Sequence, residues 1–313
     1  MHGVNCIPSV TLGVKEWFAD DHPLSLRPRL QEQTGHQRKY NATVQTPFGE
    51  MTLCLAEFKR QSLSLVSGPG DHPAALKKVL WYIKEVRQHT EAIRQRVREV
   101  RQRVGENCLI VFFLPQPYEL YCIFNREDAF FLEMDFPEIF AQLQTEIRET
   151  VKSVIRPAIE GGADLMFFGS AGTELYSPEI FRNHILQPSI EYAQVVREAG
   201  GISTFHLCGH GKEYLDMGVF NQMKPDIVEG LGTSNTGNIP SLEYARERIP
   251  ASTILRGNIS LSLLRDGSVD ALRKACHAII KSQQGRRLIL SGECDILYGT
   301  PAKNIQTLAE ACL

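Results

Sequence analysis

In FHLCG, residues 205–209, an imidazole and a thiol alternate as His206 and Cys208. If this stretch is a strand, side chains two apart point to one face. The pair then projects together, as two ligands or as two packed side chains. A further soft donor, Cys294, stands far downstream in SGECD. Two thiolates and one imidazole make a Cys-Cys-His donor set suited to Zn²⁺, with a fourth position open or weakly held as in a catalytic zinc site. The competing reading is packing, because a buried cysteine is commonly a small core residue. Further groups able to act on a substrate close other apolar runs: Glu174 after FFGSAGT, Glu229 in DIVEG, Asn258 in RGNI, and Glu293 with Asp295 around Cys294.

For these groups to meet, the elements that carry them must end at one place. From residue 107 onward, apolar runs at 108–114, 163–169, 201–208, 226–230, 253–259 and 287–292 alternate with helical patterns. Helix starts are marked at Ser177-Pro178, Pro240-Ser241, Gly267-Ser268 and Thr300-Pro301. Short strands alternating with helices predict a parallel sheet of right-handed βαβ units. These runs, with one or two strands from the N-terminal part, point to an α/β fold, the (β/α)8 TIM barrel, its N-terminal strand missing or divergent. In such a barrel the C-terminal strand ends converge on one mouth. A doubly wound sheet would normally carry G-x-G-x-x-G at its first helix, and GGADLMFFGSAGTE lacks that spacing.

Residues 1–106 differ in character and are expected to pack on the barrel portion, 107–313, within a single domain. Residues 43–56 predict a hairpin about a Pro-Phe-Gly turn, and SGPGDHP at 67–73 predicts a loop. Residues 77–104 predict one long Arg-rich amphipathic helix: Val86, Ile93 and Val100 fall seven apart, as do Ile83, Val97 and Val104, with Thr90 interrupting the second series.

Composition narrows the classes. Of 313 residues, 43% are hydrophobic and 22% charged, the balance of a globular chain with a sizeable core. A net charge of -2 gives no general affinity for nucleic acid or an acidic membrane surface. No run reaches the ~18 apolar residues of a membrane helix. The first residues lack a basic segment followed by a long apolar one, so a cytoplasmic location is expected. The eight cysteines are scattered without close pairing, which favours reduced thiols over a disulfide framework. Cys276 and Cys312 lie in helical patterns and are expected in the core.

The segments GGADLMFFG, YSPEIFRNHILQPSIEYAQVVREAGG, FHLCG, LRGNISLSLLRDGS and ILSGECDILYGTPAKNIQTLAEA resemble, in order and spacing, the uroporphyrinogen decarboxylase superfamily. Within it the chain resembles the zinc-dependent corrinoid methyltransferases, the branch of methylcobamide:coenzyme M methyltransferase. TVQTPFGEM is a weaker match. Decarboxylases of the superfamily carry an N-terminal RQAGR-type arginine loop and a GHG near the last strand. Here the arginine loop is lacking, Cys294 stands where that pattern has histidine, and the GHG at 209–211 follows a different strand.

The resemblance implies an eight-stranded α/β barrel and methyl transfer from a methyl-corrinoid on a partner protein to a small-molecule acceptor, a thiol or a tetrahydrofolate. It implies His206, Cys208 and Cys294 as Zn²⁺ ligands. Glu174 is the candidate displaceable fourth ligand, and with Glu229 a candidate catalytic carboxylate. Asn258, in the superfamily's GN motif, is the candidate residue for binding substrate or cofactor. Glu293 and Asp295 are candidates for supporting the metal site, and His210 is expected in a loop. The runner-up activity is a decarboxylase-like lyase acting on a tetrapyrrole, and a non-catalytic barrel is a third reading. GNISL departs from the family's GN-x-DP at Ser260 and Leu261, which bears on the substrate and leaves the metal untouched.

Overall fold

The computed structural model describes residues 9–58, 64–70, 73–118, 123–124, 126–170, 172–233, 236–283 and 285–311. The chain divides into two compact units, one of residues 9–166 with 195–201, the other of 167–194 with the chain from 202 onward.

In the first unit, β1 (Ser9–Leu12) pairs in parallel with β6 (Leu109–Phe113), Leu12 opposite Phe112. A separate antiparallel sheet runs β2 (Arg29–Gln33), β3 (Gln37–Thr46), β4 (Gly49–Phe58), β5 (Ser64–Ser67). Its centre is the expected hairpin, longer than the sequence suggested. Thr46 pairs with Gly49, and the glycine takes the positive φ of 97° that the tight turn requires. Ala42, Val44, Met51, Leu53 and Leu55 are buried, alternating along the two strands.

The single helix expected over 77–104 is two: α1 (Pro73–Gln88) and α2 (Thr90–Val104), parted at His89, whose φ of -111° and ψ of 27° leave the helical range. A straight helix lets a seven-residue stripe drift by about 20° per heptad. The break at His89 resets it, so Ile83 and Val86 before it and Ile93, Val97 and Val100 after it are all buried. Both helices pack on α4 (Pro137–Glu160), which follows α3 (Arg126–Asp135). Arg101 is not on a solvated face. It pairs with Asp164 and donates to the carbonyls of Gly105 at 2.7 Å, Cys108 at 2.8 Å and Gly162 at 2.9 Å. Asp164 also accepts from the Ile110 amide at 2.6 Å. Asp164, one residue before Leu165, thus links the end of α2 to β6 through one ion pair and one backbone hydrogen bond.

The second unit carries the strand ends of interest. They are β7 (Leu165–Ser170), which begins in the first unit, then β8 (Ile202–Leu207), β9 (Ile227–Glu229), β10 (Ile254–Ile259) and β11 (Leu288–Gly292). All six expected apolar runs from residue 107 onward are strands. In space the sheet runs β1-β6-β7-β8-β9-β10-β11, in chain order, and the pairs β1–β6, β8–β9, β9–β10 and β10–β11 are parallel. Consecutive strands lying side by side in parallel, each pair bridged by helix, is the TIM-barrel pattern, and it excludes the doubly wound sheet, whose order reverses. Seven such strands lie among the described residues.

Each expected helix start is realised. Ser177, Ser241 and Ser268 accept from Ile180, Tyr244 and Ala271 amides as N-caps, and Pro301 precedes Ala302–Glu310. The core of this unit is aromatic: Phe168, Tyr192, Phe205 and Phe220 meet edge-on at centroid distances of 5.6–5.9 Å. Cys276 is fully buried among Ile259, Leu264, Leu272 and Leu308, as expected. Cys312 lies outside the described residues. No helix among the described residues is long and apolar enough to cross a membrane.

Candidate metal centre

Strand alternation decides what His206 and Cys208 do. Phe205 and Leu207 are fully buried on the helix-facing side of β8, so His206 and Cys208 face the other way. Phe167 on β7 shares that face, its ring 5.6 Å from the imidazole. Just beyond β8 the backbone is pinned: the Cys208 amide donates to Ser170 O at 3.0 Å, and its carbonyl accepts from the Thr173 amide at 3.0 Å and hydroxyl at 2.9 Å. Two glycines allow this crowding. A Cβ at Gly169 would collide with the His206 backbone, and one at Gly209, where φ is 99°, would overlap the Glu174 carboxylate.

Cys294 arrives from β11. The preceding Glu293 is 1% exposed, its amide bonded to Ile259 O at 2.8 Å. Its carboxylate accepts from the Leu261 amide at 3.2 Å and the Thr233 amide at 3.4 Å. Glu293 therefore fixes the backbone from which Cys294 projects.

The Cys208 and Cys294 sulfurs are 3.7 Å apart, and Cys294 Sγ is 3.8 Å from His206 Nε2. The three donor atoms lie within 4.8 Å of one another, the one such group of three or more found among the described residues. Tetrahedral Zn²⁺ with sulfur bonds of ~2.3 Å holds neighbouring sulfurs ~3.8 Å apart, so the spacing fits. The donor types fit as well, two soft thiolates and a neutral imidazole.

The electrostatics describe the same preference. The two sulfurs cannot both ionise unaided. Cys208 is brought down to about 7, first by its hydrogen bond with Cys294, against burial, and with help from the Gly172 backbone. Cys294 is driven up, first by Cys208. Burial works against charge on His206, yet Cys294 and Glu229 outweigh it and raise the imidazole to about 9. Cys294 and His206 thus hold protons at neutral pH, and binding a divalent cation would release them.

Glu229 lies opposite His206 in the β8–β9 register and takes its Nδ1 at 2.9 Å. Its other oxygen meets Arg256 on β10. Burial opposes the charge of Glu229, but His206 and Arg256 outweigh it and lower its pKa. A carboxylate on Nδ1 leaves Nε2 free to ligate, the arrangement common behind metal-bound histidines. Arg256 was missed from sequence, although an arginine inside the apolar run TILRGNI was a signal.

The remaining candidates are placed as follows. Glu174 is exposed and rests against Gly209, outside the three-donor group, its charge acting on Cys208. Asn258 is 7% exposed and donates to Leu231 O at 2.9 Å, tying β10 to the segment after β9. Asp295 and His210 are exposed.

The family model for uroporphyrinogen decarboxylase (URO-D) matches residues 69–313. The chain belongs to that family. A curated relative, the uroporphyrinogen decarboxylase of Prochlorococcus marinus (strain NATL1A), is 25% identical over 175 residues, 56% of this chain and 47% of the relative. The chain thus spans about half the length of the curated relative it matches. Among solved structures, a methyltransferase from Methanosarcina mazei superposes with a TM-score of 0.59 at 18% identity, covering 82% of this chain and 73% of that one. This likeness is one of fold, and it agrees with the α/β, TIM-barrel-like architecture of this URO-D family member.

Proposed function

We propose that this URO-D family chain is a zinc-dependent methyltransferase. It moves a methyl group from a methyl-corrinoid, carried by a partner protein, to a thiol or tetrahydrofolate-type acceptor in the cytoplasm. The observation that carries the proposal is the convergence of His206, Cys208 and Cys294 from two strand ends at tetrahedral ligand spacing. Those three residues would hold the metal. Zn²⁺ bound there would supply an acceptor thiol as its thiolate at neutral pH. Two thiolates and a neutral imidazole cancel the metal's charge, which leaves an acceptor sulfur more nucleophilic than a cationic site would.

The chain's own residues orient and shield. Glu229 holds the His206 ring by Nδ1, and the Gly172 backbone supports the Cys208 sulfur. Glu293 anchors the backbone before Cys294. Glu174, against Gly209, is the candidate to be displaced by an acceptor. In the transfer the acceptor sulfur bonds the methyl carbon as the cobalt–carbon bond breaks. The electron pair stays on cobalt, taking Co(III) to Co(I), and the thiol proton goes to solvent. Absorbance of a methylated corrinoid, followed with thiol and with tetrahydrofolate acceptors, tests this. Cobalt demethylation dependent on the chain and on its zinc is the expected result.

The curated relative favours a second reading, a lyase removing carboxylate from a tetrapyrrole. Carbon dioxide release from a porphyrinogen, with no change in a methylated corrinoid, would decide for it.

A further inference from the structure

Arg256 has no part in the donor set, yet its place is unusual. It occupies β10 between the buried Leu255 and Gly257, and its side chain is 44% exposed. The one hydrogen-bond partner of its guanidinium among the described residues is Glu229 Oε2. The Glu229 side chain is 11% exposed and divides its oxygens, one to Arg256 and one to His206 Nδ1. Three neighbouring strands, β8, β9 and β10, thus contribute one link each to a line running Arg256, Glu229, His206, Cys294.

We propose that Arg256 is a positioning residue for the metal centre, holding His206 through Glu229 in the ring orientation that turns Nε2 toward Cys294. The inference rests on the zinc reading given above. A carboxylate with one anchored oxygen can rotate about its last bond, and an imidazole facing it can turn over and exchange its two nitrogens. Anchoring the second oxygen removes that freedom. A guanidinium suits the task because it is always charged, weakly hydrated and presents donors at fixed angles, which a compact, strongly hydrated ammonium does not. Partners behind a metal-bound histidine commonly govern affinity in this way. Arg256 differs from such a partner only in acting one link further back. An ion pair that merely joined β9 to β10 would hold the strands and leave metal binding alone.

The test is zinc affinity of the full chain, by competition with a chromophoric chelator, together with the absorption spectrum of the Co²⁺-substituted protein. Arg256→Gln is expected to weaken zinc by about 10–100-fold, the usual cost of losing such support, and to alter the Co²⁺ bands. Arg256→Lys should recover part of the loss. In a Glu229→Gln background, Arg256→Gln should change affinity by less than about 2-fold, because its effect runs through the carboxylate. If Arg256→Gln does not fold, Arg256→Met keeps the aliphatic stem, lacks the fork, and carries the same expectations. Wild-type affinity in a folded Arg256→Gln or Arg256→Met variant would overturn the proposal and leave the zinc reading standing. So would an equal loss in the Glu229→Gln background. Failure of the wild-type chain to bind zinc would overturn both.

Discussion

Each unit contains a half-buried histidine, and the two behave in opposite ways. In the first unit His22 stacks on Phe18 at 4.3 Å and meets His89 edge-on at 5.2 Å. Its Nδ1 accepts from the Leu24 amide at 3.2 Å, so the neutral ring is the one that fits. Burial foremost, and His89 after it, pull His22 below its ordinary value. In the second unit His206 is partly buried too, its side chain 14% exposed, but its Nδ1 faces a carboxylate and its Nε2 a thiol. There the neighbours overcome burial and raise it to about 9. Burial alone therefore says nothing about a histidine's task. What its two nitrogens face separates a packed ring from a ligand.

The contrast can be broken most forcefully by cutting each region at its own support. Phe112, fully buried and stacked on Trp17 at 5.3 Å, belongs to the first unit. Phe112→Ala should lower unfolding free energy by about 3–5 kcal/mol in chemical denaturation, with zinc affinity of the folded chain unchanged. Zinc lost along with stability would show that the centre depends on that packing. The converse cut is Cys294→Ala. It should weaken zinc on the order of 100-fold or more, because two protein donors make a poor tetrahedral site. The metal-free variant should melt close to the wild type. Stoichiometric zinc retained by Cys294→Ala would remove Cys294 from the donor set.

How much of this was legible in the sequence differs by kind of information. His206 and Cys208 were readable as a same-face pair because strand periodicity is local. Cys294 was readable as a strand-end residue for the same reason. The partnership of Glu229 was not. The sequence offers Glu229 as a candidate catalytic carboxylate, and the β8–β9 register adds that it stands opposite His206 and meets its Nδ1. Register between strands separated by a crossover is a tertiary property. For Asn258, offered by the sequence as a binding residue, the structure adds a tertiary contact that no local pattern shows, its amide donating to Leu231 O. In the first unit, β2 is exposed along its whole length and β5 nearly so, leaving no alternation to read. The four-residue β1 is too short to stand out. The break at His89 left a trace in the sequence, Thr90 spoiling one apolar series, but a single irregular position does not announce a helix end.

A pH titration sharpens the histidine comparison at smaller scale. By NMR of the metal-free chain, His22 should titrate below the ordinary value of 6.5 and His206 near 9. Their contributions to stability run in opposite directions. That of His206 is full below 6.5 and is lost as pH rises through about 9. That of His22 is present above 6.5 and is lost as pH falls through its lowered value. Saturating zinc should abolish the titration of His206 and leave that of His22 in place. Matching titrations for the two rings would remove the distinction. The smallest effect is expected at a helix end remote from the ligands. Ser268→Ala, which removes the cap on the Ala271 amide, should cost about 1 kcal/mol and leave metal binding untouched.

The most direct measurement is the metal content of the full chain purified without chelator, by elemental analysis, beside His206→Ala prepared identically. The account predicts about one zinc per wild-type chain and little in the variant, as a site of three protein donors requires. A wild-type chain holding no zinc, even after supplementation with a zinc salt, would contradict it and return His206, Cys208 and Cys294 to ordinary packing.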